Sequence, residues 1–401
     1  MGKEKKVKPF KRPFLFPFAK FFFGLYARII LGYRKKDRFR IRKGEKIVVL
    51  SNHQTDLDPF LIMLSFNKML RCLATDNLFA GKKAAKWLTY LGIIPKRKGL
   101  VDIKSTMEML KYSTVGDSLL FFPEGNRSYA DFQFFVSERL GKMIKSFKAT
   151  VVIFNLHGGF GCMPRMGSKR RKGKFYGEFK TILHYEDYKD MDDVVLSKII
   201  IDNLRVIDSE SGELYKSKAR AEYFERLFFV CPKCHSISSI YSEGNYIKCH
   251  SCDLEIEYTE DLQLKSKDVE FTKLVEYYNY QKKYVREHDF SKDDVIFTDE
   301  KVSLTLANPY QDKEKLEEES KMILTNKELI FDHHKFDIKD ILVASPVSGR
   351  KLVFTIGDNN YTVKGQDRFN AIKYVFLFNK LDTLMRNKEI DQYFSIKEDE
   401  K

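Results

Sequence analysis

The sequence predicts an α/β layered domain, followed by a metal-holding ribbon and a β-rich module closed by a C-terminal helix. Three observations predict it. Apolar runs of strand length alternate with helical spacing up to about residue 205, and two C-x2-C pairs lie fourteen residues apart. After residue 293 short strand patterns recur between turns. A chain of 401 residues with 43% hydrophobic content can build two or three such units. The net charge of +15 is unevenly spread: residues 1–180 hold 38 basic and 13 acidic side chains, or +25, and the remainder carries −10. The first half seeks anions, and charge alone leaves nucleic acid, an anionic bilayer or a phosphorylated substrate open.

In chain order, Pro13–Tyr33 is rich in phenylalanine but interrupted by Lys20 and Arg28, so no uncharged run reaches spanning length. It reads as a helix packed on the protein's own core or lying in a membrane interface; aromatics between basic clusters favour the interface. No cleavable signal is expected, and Lys6 stands where a myristoylation motif beginning at Gly2 wants Ser or Thr. Ile47–Leu50 is a buried strand, and Pro59–Phe66 takes helical spacing, which makes Ser51–Asp58 a strand-to-helix junction. Lys82–Tyr90 is a helix broken at Gly92, leading through Ile93 and Ile94 into Pro95-Lys96-Arg97-Lys98. Ser118–Phe122 and Val151–Phe154 are further strands. Such a sheet gathers its ligand-binding loops at one end.

Glu213–Arg226 looks helical and charged, and Val269–His288 looks like an amphipathic helix. Strands are expected at Val302–Leu306, Met322–Thr325, Leu329–Phe331, Leu352–Ile356 and Tyr361–Val363, with Gly357-Asp358-Asn359-Asn360 as a hairpin loop. The closing helix carries Phe369, Ile372, Val375 and Phe376 on one face. In architecture this module resembles a pleckstrin-homology-like unit. The organisation is thus a basic aromatic membrane-associating segment (1–45), the layered domain (46–205), a helical connector (206–230), the ribbon (231–258), a second helical connector (259–292), the β-rich module (293–388) and a charged tail (389–401).

Asn52-His53-Gln54-Thr55-Asp56-Leu57-Asp58 sets a histidine and a carboxylate five positions apart on the junction. Imidazole suits a base working near neutral pH, and a carboxylate on its other nitrogen fixes the tautomer. Taken alone, the pair would equally suit a helix cap beside a packed histidine. Phe122-Pro123-Glu124-Gly125-Asn126-Arg127-Ser128 offers Arg127 for a phosphate and backbone amides around Gly125 for an oxyanion, and Lys96 and Arg97 add a second cationic loop.

Together these segments resemble the 1-acylglycerol-3-phosphate acyltransferase (lysophosphatidic acid acyltransferase) family, with its NH-x4-D, IPxxR-like and FPEGTRS blocks. The resemblance covers about residues 15–200 and implies a glycerolipid acyltransferase-like fold. It implies His53 as general base, Asp58 as its orienter, Lys96 and Arg97 on the lysophosphatidate phosphate, and Glu124, Gly125 and Arg127 shaping the substrate site. Asn126 replaces the usual threonine, and Val151-Val152-Ile153-Phe154-Asn155 lacks the proline of the family's fourth block. The implied donor is acyl-CoA or acyl-acyl carrier protein, both acidic, which the basic loop Ser168–Lys174 could meet. Direct attack by the acceptor hydroxyl needs no enzyme nucleophile, although Ser51 and Cys72 could be considered for one.

Cys231, Cys234, Cys249 and Cys252 form two knuckles suited to one structural Zn2+, with His235 and His250 expected at the surface. The basic residues crowd around phenylalanines rather than the ribbon, so a lysophospholipid at an anionic membrane surface is the expected partner and nucleic acid is not. The expected location is the cytoplasmic face of a membrane, peripheral or monotopic. The alternatives are an acyltransferase acting on another lysophospholipid or glycerolipid acceptor and a catalytically silent lipid-binding scaffold.

Overall fold

The computed structural model describes residues 9–10, 13–97, 103–167, 169–290, 294–347 and 349–386. Gly2, Lys6, Lys98, Ser168 and the 389–401 tail lie outside them. The layered domain comprises α1 (Phe16–Ile29), β1 (Tyr33–Lys35), β2 (Ile47–Ser51), α2 (Asp58–Met63), β3 (Arg71–Thr75), α3 (Lys82–Tyr90), β4 (Ile94–Lys96), α4 (Ile103–Thr114), β5 (Leu119–Phe121), α5 (Leu140–Phe147), β6 (Thr150–His157), α6 (Gly159–Cys162), β7 (Phe175–Leu183), α7 (Tyr185–Tyr188) and α8 (Asp193–Leu204). Its seven strands run in the order β1-β7-β6-β2-β5-β3-β4. β2 is parallel to both β5 and β6, and β7 turns back antiparallel to β6.

The apolar run of β2 follows from burial on both faces. Ile47 and Val49 enter one core with Leu61 and Ile62 of α2, while Val48 and Leu50 enter a second with Ile144 of α5 and Leu196 and Ile200 of α8. The helices therefore cover both faces, and loops after β2, β4 and β5 converge at one end. Three strands escaped the sequence pattern. β1 and β3 are short and begin or end in charge, and β7 alternates polar residues at the sheet's antiparallel flank.

The segment 206–230, expected to be helical, contains only two short 3-10 turns among extended chain. Its apolar residues are spent otherwise: Tyr215, Ala221, Phe224, Leu227, Phe228 and Phe229 are all buried, with Phe224 against Tyr258, Phe228 against Tyr277 and Phe229 against Phe297 and Phe376. Tyr223 adopts a left-handed conformation (φ 70°) that no continuous helix accepts. The ribbon's sheet, β8 (Ile240–Glu243), β9 (Tyr246–Cys249), β10 (Glu255–Tyr258) and β11 (Leu264–Lys265), runs past the expected boundary at 258. The next helix, α9, is confined to Leu274–Glu287. It starts where Glu276 accepts the backbone N–H groups of Thr272 and Lys273 at 2.7 and 3.0 Å.

The last unit is a seven-stranded antiparallel sheet: β12 (Phe297–Leu306), β13 (Glu314–Leu324), β14 (Glu328–Ile330), β15 (Lys335–Asp337), β16 (Ile341–Val347), β17 (Lys351–Ile356) and β18 (Asn359–Lys364). Gly357 and Asp358 form the β17–β18 turn, with Ile356 paired to Asn359. The closing α10 (Ala371–Arg386) buries not one face but nearly every side from Ala371 to Phe378, Lys373 included, whose ammonium pairs with Asp299 at 2.8 Å. One apolar core runs through all three units. Phe132, just after the β5 loop, lies 5.4 Å from Tyr278 of α9, which lies 5.2 Å from Phe376 of α10.

Candidate active site

The β2–α2 junction brings His53 and Asp58 together as the spacing requires. His53 Nδ1 stands 2.8 Å from Asp58 Oδ2, and the same oxygen accepts the N–H groups of Gln54 (2.7 Å) and Thr55 (2.9 Å). The Thr55 hydroxyl donates to Oδ1. With no exposure and four donors, the carboxylate is held immobile and used wholly as an acceptor. It can only accept, so Nδ1 carries the proton and Nε2 the lone pair. The imidazole stacks on Phe122 (4.0 Å, 15°) and keeps 19% of its side chain exposed. Burial lowers its pKa below the ordinary histidine value; Asp58 opposes that, and the charges of Arg127 and Arg165 add to it.

Asn52 explains its own place beside the dyad. Its side-chain amide donates to Leu156 O (2.9 Å) and accepts from Leu156 N (2.8 Å), which locks the end of β2 to β6. Gln54 accepts from Gly159 N at 3.0 Å, and a Cβ at Gly159 would come within 2.5 Å of that Gln54 oxygen. Asp208 closes the back of this turn by accepting from Gly158 N (2.8 Å) and Gly161 N (2.9 Å). Burial raises its pKa to about 7, with Asp131 pushing the same way. No sequence signal marks Asp208, because its partners are backbone groups fifty residues away.

The β5 loop folds against the dyad. Glu124 accepts the N–H groups of His53 (3.3 Å) and Phe134 (3.0 Å), and burial pushes its carboxyl up to about 8. It shapes the site by bracing two backbones. Gly125 sits at φ 68°, and its N–H donates to Phe122 O at 3.0 Å. The oxyanion donor expected there is therefore not the Gly125 amide, which the turn consumes. Arg127 Nη1 pairs with Asp56 Oδ2 at 2.7 Å; the guanidinium is mostly buried and the carboxylate 75% exposed.

Lys96 and Arg97 part company. A Cβ at Gly125 would lie 3.8 Å from Lys96 Nζ, so Lys96 faces the catalytic loop. Arg97 instead pairs with Asp358 of the β17–β18 turn at 3.1 Å. The second guanidinium beside the dyad is Arg165, which the motif spacing did not single out. Its Nη1 donates to Arg127 O (3.0 Å), its Nη2 to Pro346 O of β16 (2.7 Å), and its plane covers Tyr129 at 4.3 Å. Neither alternative nucleophile is poised. Ser51 is fully buried with its hydroxyl on Asn52 O, and burial pushes the Cys72 thiol up to about 12. In the basic loop, Arg171 turns inward to Arg220 O, leaving Lys169, Arg170 and Lys172 exposed.

Alongside the sheet, α1 exposes Phe18, Phe21, Phe22, Leu25 and Ile29. Between it and β1 opens a groove of about 910 Å³ bordered by Lys20, Arg28, Arg34, Lys35, Arg38 and Arg40. Among the described residues no helix is long and apolar enough to cross a membrane.

The ribbon gathers the sulfurs of Cys231, Cys234, Cys249 and Cys252 within 4.8 Å of one another. Cys231–Cys252 and Cys234–Cys249 are 3.6 and 3.8 Å apart. A tetrahedral ion with Zn–S bonds of about 2.3 Å needs about 3.8 Å. The donor set is of the kind zinc takes, with two of its sulfur pairs at that spacing. His235 bonds Tyr280 and His250 stacks on Tyr241, both away from the sulfurs.

Residues 33–159 match the sequence model of the Acyltransferase family, a span that takes in His53, Asp58 and the β5 loop. No curated protein matches the chain significantly. Among solved structures it is similar to the 1-acyl-sn-glycerophosphate (LPA) acyltransferase PlsC from Thermotoga maritima. That similarity has 16% identity and a TM-score of 0.39, covering 46% of this chain and 77% of that one.

Proposed function

We propose that the protein transfers a fatty acyl group from an acyl thioester, acyl-CoA or acyl-acyl carrier protein, to the free hydroxyl of 1-acylglycerol-3-phosphate, giving phosphatidic acid. The observation that carries this reading is the His53–Asp58 pair, with a buried, fully bonded carboxylate on Nδ1 and cationic side chains beside the ring. His53 Nε2 takes the acceptor's hydroxyl proton as its oxygen attacks the thioester carbonyl. The C–S bond breaks, and the departing thiolate leaves as a thiol with that proton. Asp58 stabilises the imidazolium in between. The depressed pKa keeps the ring neutral, and so basic, at neutral pH. Arg127 and Lys96 supply positive charge for the acceptor's phosphate.

The exposed aromatic face of α1 and its flanking cations support docking to an anionic membrane surface, peripheral or monotopic and on the cytoplasmic face. The four cysteines would hold a structural Zn2+: their closed donor set leaves no position for substrate, so the ion would fix the ribbon's fold. The β-rich module keeps its pleckstrin-homology-like reading as an architectural one. The test is labelled acyl transfer in vesicles with a panel of lysolipid acceptors. Turnover preferring lysophosphatidate is the expected result. Turnover with another acceptor alone would move the substrate, and none with any acceptor would favour a lipid-binding scaffold.

A further inference from the structure

Two cations expected on one side of the site have been redistributed. Arg97 is engaged by the C-terminal module's Asp358, while Arg165, from the turn after α6, stands beside Arg127 in its place. Arg165 is held from three directions, by the carbonyl of Arg127, the carbonyl of Pro346 and the face of Tyr129. None of these contacts neutralises it. Its Nε is buried and has no hydrogen-bond partner among the described residues. Burial, with the neighbouring Arg127 charge, lowers its pKa to about 10, while Tyr129 and Asp56 act to raise it. The Arg127 charge acts against it, and the carboxylate paired to Arg127, Asp56, is itself largely exposed to water. Two positive charges close enough to His53 to act on it are what an anionic acceptor would offset.

We propose that Arg165 is a second binding residue for the acceptor's phosphate monoester, and that the C-terminal module holds it in place through the Pro346 carbonyl. This rests on the acyl-transfer reading above and gives the module a part in the site. The module's β16 carbonyl orients the guanidinium, so the layered domain alone has an incompletely fixed anion site. Arg165 lies outside the segment that matches the Acyltransferase family, as does the module.

The experiment compares the full chain with Arg165→Gln and Arg165→Lys in vesicles, using lysophosphatidate and a monoacylglycerol that lacks the phosphate. Loss of one charge-assisted contact is expected to lower the ratio of kcat/KM for the two acceptors roughly tenfold in Arg165→Gln, mainly through KM. Arg165→Lys, which keeps the charge without the planar fork, should recover part of that ratio. An equal loss on both acceptors, or no loss, overturns the proposal. If Arg165→Gln fails to fold, the lysine variant decides: it should still lose several-fold on lysophosphatidate selectively, and an unchanged ratio counts against the idea. Should the wild type turn over neither acceptor, the acyl-transfer reading fails separately. Calorimetric binding of glycerol 3-phosphate to wild type and Arg165→Gln then reads the anion site directly: weaker binding by the variant upholds it, and equal binding refutes it.

Discussion

The β2–α2 junction and the cysteine ribbon are both built from short-range spacings, yet they leave their reactive atoms in opposite states. At the junction, Asp58 is saturated with donors, whereas the histidine it orients keeps an open side. In the ribbon, four sulfurs face one another, and two of them also receive backbone N–H groups, from Cys234 to Cys231 Sγ and from Ser251 to Cys249 Sγ. On the proposed function, the site that reacts keeps one atom unsatisfied and the site that holds a fold closes on itself. The same contrast separates His53 from Glu124, a buried carboxyl committed wholly to bracing backbones.

The largest effect that can break the comparison falls on the open site. His53→Ala should lower kcat by about 10²–10⁴ with little change in melting temperature, as loss of a general base does. A large loss of stability instead would put His53 with the structural residues. On the closed site the signs reverse: Cys231→Ser, or zinc removal by a chelator, should lower the melting temperature by roughly 5–10 °C. Metal analysis should find one zinc per chain, and a zinc-free protein of unchanged stability would remove the contrast. The pH profile sharpens it further. Because the His53 pKa is lowered, kcat/KM should rise with pH through an apparent pKa below about 6.5 and be flat at neutrality. Arg127 contributes to that lowering, so Arg127→Gln should shift the limb to higher pH as well as raise KM for a phosphate acceptor. The smallest effect belongs to Asp358→Asn. The Arg97–Asp358 pair is exposed on both sides, and its loss should change rate and stability little, less than about twofold in kcat/KM.

Legibility in the sequence follows the same division. His53 with Asp58, and Cys231 with Cys234, are local pairs whose meeting is fixed by backbone geometry within one turn. The strand Ile47–Leu50 is readable because burial on both faces leaves an unbroken apolar run, and Lys82–Tyr90 because Gly92 breaks it. What escaped is held by distant partners. Arg165 depends on Pro346, some 180 residues on, and Asp208 on backbone N–H groups of the β6–α6 turn. The stretch Glu213–Arg226 misled because its apolar residues are spaced for burial between two neighbours, which helical periodicity imitates. Arg97 misled for a related reason: the motif places it at the site, but the module supplies Asp358 as a nearer partner.

The most direct test of the account is acyl transfer from a labelled acyl thioester to lysophosphatidate, measured side by side for the wild type and a folded His53→Ala variant. The account predicts wild-type turnover that falls at least a hundredfold in the variant while lysophosphatidate binding persists. Equal turnover by the two proteins would contradict it.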